Sequence, residues 1–118
     1  MGATIEREAG SLRVLRITGL LKKSEMDATL AAEARQWTSA TKVKVLVVTE
    51  NFQGWERGAD WGDLSFLVKH DDQIEKIAIV GDPKKEPEFL VFAGAGFRQA
   101  QVKFFPPTQL AQARAWLG

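Results

Sequence analysis

Cysteine and tyrosine are both missing from this chain of 118 residues, and histidine occurs once. Without cysteine there is no disulfide framework, thiol nucleophile or thiolate metal cluster, and a single imidazole excludes the usual zinc sites. The same absence fits a reducing compartment, so the cytoplasm is the expected location. No apolar run approaches the roughly 20 residues that span a bilayer, and MGATIEREAGS has no apolar signal core. Neither membrane insertion nor secretion is expected. An excess of one charge is missing too: sixteen Lys and Arg stand against fifteen Asp and Glu, a formal charge of +1. The basic residues are scattered, which argues against nucleic acid as a partner. There is no phosphate loop, nucleophile elbow or histidine-rich metal motif. No repeat, low-complexity tract or flexible linker divides the chain, so a single domain over 1–118 is expected.

What remains is the composition of a globular domain, 45% hydrophobic and 26% charged. LRVLRIT at 12–18 alternates in part, as a strand with one better-buried face does, and TIERE pairs with it through a turn at Ala9, Gly10 and Ser11. Glu6, Arg7 and Glu8 then charge the sheet edge and discourage pairing with another chain. SEMD opens a helix with Ser24 as the expected cap, and Met26, Leu30, Ala34 and Trp37 recur on one stripe while Glu33 falls outside it. VKVLVVT at 43–49 and IAIV at 77–80 are nearly continuous apolar runs, the pattern of strands covered on both faces, and VKFF at 102–105 is similar. Helices are expected over 60–70, through EFLVFA, and after Pro107, where Thr108 is the cap and Leu110, Ala113, Trp116 and Leu117 the buried stripe. Strands alternating with helices imply right-handed crossovers. The expected fold is therefore α/β: a mixed, mostly parallel sheet of about five strands with about four helices and an antiparallel N-terminal edge strand.

In open α/β sheets ligands lie beyond the carboxyl ends of the strands. Three segments qualify: Thr49, Glu50 and Asn51 with the stretch that follows, GDPKK at 81–85, and Pro106 to Thr108. Glu50, Glu56, Asp60 and Asp63 suggest a metal or acid/base cluster, but Asp60 and Asp63 fall in a first helical turn, where acids match the helix dipole without a ligand. His70 reads as a solvated helix end. Asp82 and Lys84 either hold an anion or form an ordinary cap with an exposed cation. AGAGF at 93–97 is a helix C-cap rather than a dinucleotide loop. Trp55, expected in the loop after the strand and flanked by Gly54 and Gly58, is either a contact residue or a lid over the core. No catalytic constellation, metal site or cofactor is expected.

The buried strand VKVLVVT, then NFQGWERGADWGDLSFLVKH, then IEKIAIVGD, and finally VKFF with LAQARAWL resemble the SpoIIAA-like proteins, relatives of the STAS domain of anti-sigma factor antagonists. The resemblance covers most of the chain. It implies a mixed sheet and a non-enzymatic role in binding a protein partner, with Trp55, Glu56, Arg57, Gly58, Asp60 and Phe66 as the contact region. Some STAS domains are switched by phosphorylation of a serine at the start of the helix after the third strand. Here that turn reads Arg57, Gly58, Ala59, Asp60, Trp61, without a hydroxyl. The family is also compared in fold with lipid-binding CRAL-TRIO domains. That comparison gives a second reading, a small apolar ligand or lipid held near Phe89 and Phe92 with Asp82 and Lys84.

Overall fold

The structure is a computed structural model that describes residues 3–8, 10–37, 42–58, 71–92 and 101–118, with only the backbone of Asp71, Val91 and Phe92. Five strands form one sheet in the order of the chain: β1 (Ala3–Arg7), β2 (Leu12–Leu21), β3 (Val43–Trp55), β4 (Ile74–Val80) and β5 (Gln101–Phe105). β1 runs antiparallel to β2, and every other pairing is parallel. Gly10 closes the first hairpin at φ 68°, a left-handed conformation that costs glycine little. Among the described residues there are three α-helices: α1 (Lys23–Ala34), α2 (Glu86–Phe92) and α3 (Leu110–Leu117). The helix expected over 60–70 lies outside the described residues, as do His70 and the AGAGF stretch.

The strand order explains the layers. Successive crossovers of one hand, stepping in one direction along a sheet, leave their helices on one face. Accordingly α1 and α2 share a core with Leu15, Ile17, Val43, Val45, Val47, Ile77 and Ile79, to which they contribute Met26, Ala34 and Phe89. α3 follows β5 and covers the opposite face, where Ala113 and Leu117 meet Val14, Leu46, Val48, Ala78, Val80 and Phe105. β3 and β4 are thereby buried on both faces, as their continuous apolar runs imply.

Several local expectations are corrected. β2 and β3 run on together past 18 and 49 to Leu21 and Trp55, because Asn51 and Gln53 are accommodated as extra residues where the register slips. Asn51 at φ 51° and Gly19 and Gly54 at φ 63° and 111° supply the unusual backbone that this requires. Ser24 is not the cap of α1. The helix begins after Lys22, which makes no side-chain cap bond, and the free N–H of Lys23 is taken by Glu56 Oε1 at 3.1 Å, a carboxylate from the end of β3. Glu33 is buried, not outside the stripe: its oxygens accept from Arg13 Nε at 2.9 Å, Trp37 Nε1 at 3.1 Å and Arg7 Nε at 3.4 Å. α3 is entered through Pro106 and a 3-10 turn without a side-chain cap, and Leu110 is 38% exposed rather than part of the buried stripe.

The charges of the N-terminal edge are held within the fold. Arg7 reaches Glu33, Glu6 lies 3.8 Å from Arg16, and Arg114 grips both oxygens of Glu8 at 2.8 and 3.3 Å. The last of these joins the first hairpin to the last helix.

Candidate functional site

β2, β3 and β4 are parallel and end at one rim of the sheet, which carries Leu20 to Lys22, Gly54 to Gly58 and Gly81 to Lys85. Trp55 is the last residue of β3 rather than part of a loop, since its backbone pairs with Leu21. Its indole packs edge-on against Phe52 at 5.4 Å between centroids and against Phe89 at 5.1 Å, while Phe52 and Phe89 are also 5.1 Å apart. Such tilted contacts place positive ring edges against negative faces. The indole Nε1 donates to Glu88 Oε1 at 2.8 Å, and Glu88 Oε2 lies 3.5 Å from Lys85 Nζ. Two regions that are 34 positions apart in sequence and unrelated by pattern, Trp55 and Phe89, thus form one cluster.

This arrangement divides the expected contact residues by direction. Trp55 is turned onto α2, and Glu56 is turned onto the start of α1, where its own N–H also donates to the carbonyl of Leu21 at 2.9 Å. Arg57 and Gly58 are exposed beyond them. Asp60 and Phe66 lie outside the described residues. Phe89 is 1% exposed and packs against the rings of Phe52 and Trp55. The side chain of Phe92 is outside the described residues.

Within GDPKK, Asp82 forms a cap. Asp82 Oδ1 accepts from the N–H of Lys84 at 2.9 Å at the start of the Pro83–Lys85 turn, and Lys84 is exposed. Gly81 has a separate reason to be glycine: a Cβ there would lie 2.6 Å from Thr49 Oγ1, which donates to the carbonyl of Val80 at 3.0 Å. Glu50, one of the acids considered for a catalytic cluster, is paired with Arg16 at 2.9 Å. Among the described residues no three His, Asp or Glu side chains gather as a metal site, and no helix is long and apolar enough to cross a membrane.

Phe52, Glu88 and Glu33 escape the sequence reading. Phe52 and Trp55 are three apart, a helical spacing, and only the extra residue Gln53 between them puts both on one face of a strand. Glu88 and Glu33 are hard to read locally, because Trp55 and Arg13, which bond to them, come from distant segments.

The family model for SpoIIAA-like proteins matches residues 12–118. The chain belongs to the SpoIIAA-like family. Its fold is correspondingly that of a STAS-like module, with the five-stranded mixed sheet described above. A solved structure of an uncharacterized protein from Shewanella loihica PV-4, of the DUF3478 family and with a SpoIIAA-like fold, superposes with a TM-score of 0.71. The two share 21% identity over 99% of this chain and 93% of the other, a likeness in fold. No curated protein matches the chain.

Proposed function

We propose that this SpoIIAA-like chain is a single-domain, non-catalytic protein-interaction module that contacts its partner at the carboxyl rim of the sheet, around Trp55, Glu56, Arg57 and Gly58, with Asp60 and Phe66 following. The observation that carries this reading is the anchoring of the rim. Trp55 is fixed to Glu88, and Glu56 to Lys23, so Arg57 and Gly58 project from a rigid base. A preorganised contact loses less entropy on binding than a mobile one. Residues 56–61 contain no hydroxyl, which supports a constitutive contact rather than a serine phosphoswitch.

Quantitative affinity capture from a native extract tests the reading, with the natural chain compared against Arg57→Glu, Asp60→Lys and Trp55→Ala. A specific partner should be retained by the natural chain and lost with Arg57→Glu or Asp60→Lys, in samples whose circular dichroism is unchanged. No saturable partner, or one indifferent to all three changes, would overturn it.

A further inference from the structure

β5 is one of the two edges of the sheet and pairs there with β4 alone. One bond fixes the direction of its backbone: the N–H of Gly81 donates to the carbonyl of Phe105 at 3.1 Å, so Phe105 turns its polar groups toward β4. In a parallel ladder that direction alternates from residue to residue. Gln101, Lys103 and Phe105 therefore face β4, while the N–H and C=O of Val102 and of Phe104 point away from the sheet. Among the described residues nothing bonds to these four groups. Unpaired backbone of this kind is a template for one further strand.

The two edges are not alike. On β1 and the residue after it, Glu6, Arg7 and Glu8 pair with Arg16, Glu33 and Arg114. β5 carries a single charge, Lys103. Side chains alternate between its faces. Val102 and Phe104 lie half-buried against the core shared with α1 and α2. Lys103 is exposed on the other face, with Nζ 5.2 Å from the ring centroid of Phe105. The Phe105 ring lies 6.1 Å from that of Trp116, and Lys76 Nζ is 5.2 Å from the Trp116 ring. Distances thus place two lysines and two rings in one row, and among the described residues no carboxylate pairs with either lysine. The sequence from Phe89 to Gly118 contains no Asp or Glu. On the neighbouring strand, Glu75 and Asp82 stand three and four positions from Ala78, the register partner of Lys103, roughly 10 Å or more along the chain.

Backbone and charge together define the occupant. A strand added antiparallel, the more stable pairing, places hydrogen-bonded residues opposite Val102 and Phe104 and a non-hydrogen-bonded residue opposite Lys103, about 4.5 Å away between Cα atoms. The first two extend the apolar face, and the third meets the lysines. A second copy of β5 matches less well. Centred on Lys103, the pairing sets two lysines against each other, and centred on Phe104 it opposes Val102 to Pro106, which has no N–H.

We infer that the outer edge of β5 accepts an extended segment of a protein partner as a sixth strand, with apolar residues opposite Val102 and Phe104 and an acid opposite Lys103. This surface uses none of the residues of the rim.

Hydrogen exchange and peptide titration on the full chain test this. In the free chain the amides of Val102 and Phe104 should exchange at least about 10-fold faster than those of Lys103 and Phe105. An acetylated seven-residue peptide alternating Val and Glu should slow both, and should bind at least about 5-fold more tightly than one alternating Val and Lys. Lys103→Glu should remove that preference. N-methylation of the valines, whose N–H groups face β5, should abolish binding, and N-methylation of the glutamates should not. Val102→Pro, which removes an outward N–H and no bond to β4, should act as the methylated valines do. Slow exchange at Val102 and Phe104 in dilute free chain would show the edge covered by the chain itself, and slowing that grows with protein concentration would show a second copy there. Either result overturns the inference, as do equal binding of the two peptides, equal effects of the two methylations, or no binding of the peptide of Val and Glu.

Discussion

Trp55 Nε1 donates to Glu88 Oε1 at 2.8 Å, tying the last residue of β3 to the middle of α2. The bond lies on top of the Phe52, Trp55 and Phe89 cluster, so polar direction and apolar burial act on the same pair of elements. Glu88→Ala should cost about 1 kcal/mol, the net worth of one such bond. Phe89→Ala should cost about 3 to 5 kcal/mol by leaving a cavity. Urea unfolding followed by tryptophan fluorescence separates the two. Equal costs would mean that the hydrogen bond, not the ring, holds α2.

Gly81 is held to glycine by close approach, not by its backbone angle. Gly81→Ala should destabilise by about 1 to 3 kcal/mol, because its Cβ collides with a short hydroxyl that has little room to turn. Combining it with Thr49→Ala removes the obstructing oxygen, and the double variant should be more stable than the sum of the single effects requires. Additive losses in thermal unfolding would place the clash elsewhere.

Glu33 has three donors and almost no contact with water. Glu33→Ala leaves the guanidinium of Arg13 and the indole of Trp37 without their acceptor in a largely buried place, at a cost of about 3 to 5 kcal/mol. Glu33→Gln keeps shape and one acceptor and should cost less. Denaturant midpoints of the two variants test the order.

Stability should also respond to acid through Glu8. Its hydrogen bonds from Arg114 hold the carboxyl below its ordinary value, against the opposing pull of partial desolvation, and the charges of Arg114 and Arg16 add to the lowering. The carboxylate gains its partner on folding, so its contribution is complete above the unfolded pKa of about 4.3. It is lost as the pH falls from there through the lower folded value. Glu8→Gln should therefore be less stable than the natural chain at about pH 7 and approach it in acid. A gap that does not narrow as the pH falls would show that the pair is not the cause.

Apolar periodicity alone located β2, β3, β4 and β5 and the inward stripe of α1, because burial of a repeating pattern is a local property. The family was legible as a resemblance in the order and wording of those segments, and the family model over residues 12–118 matches it. Residues 57–61 carry no hydroxyl, a property of composition that no packing alters. Tertiary structure decided the rest. The Glu56 cap of α1, the three donors of Glu33 and the Trp55 to Glu88 bond all join residues at least twenty positions apart, apart from the Trp37 contact four residues from Glu33. Their energy exists only once the sheet has brought the segments together. Likewise, Leu20 reads in sequence as one more apolar strand residue. It is 45% exposed beside Gly54, its partner across β3, in a register set by the extra residues Asn51 and Gln53 and by no pattern within β2 itself.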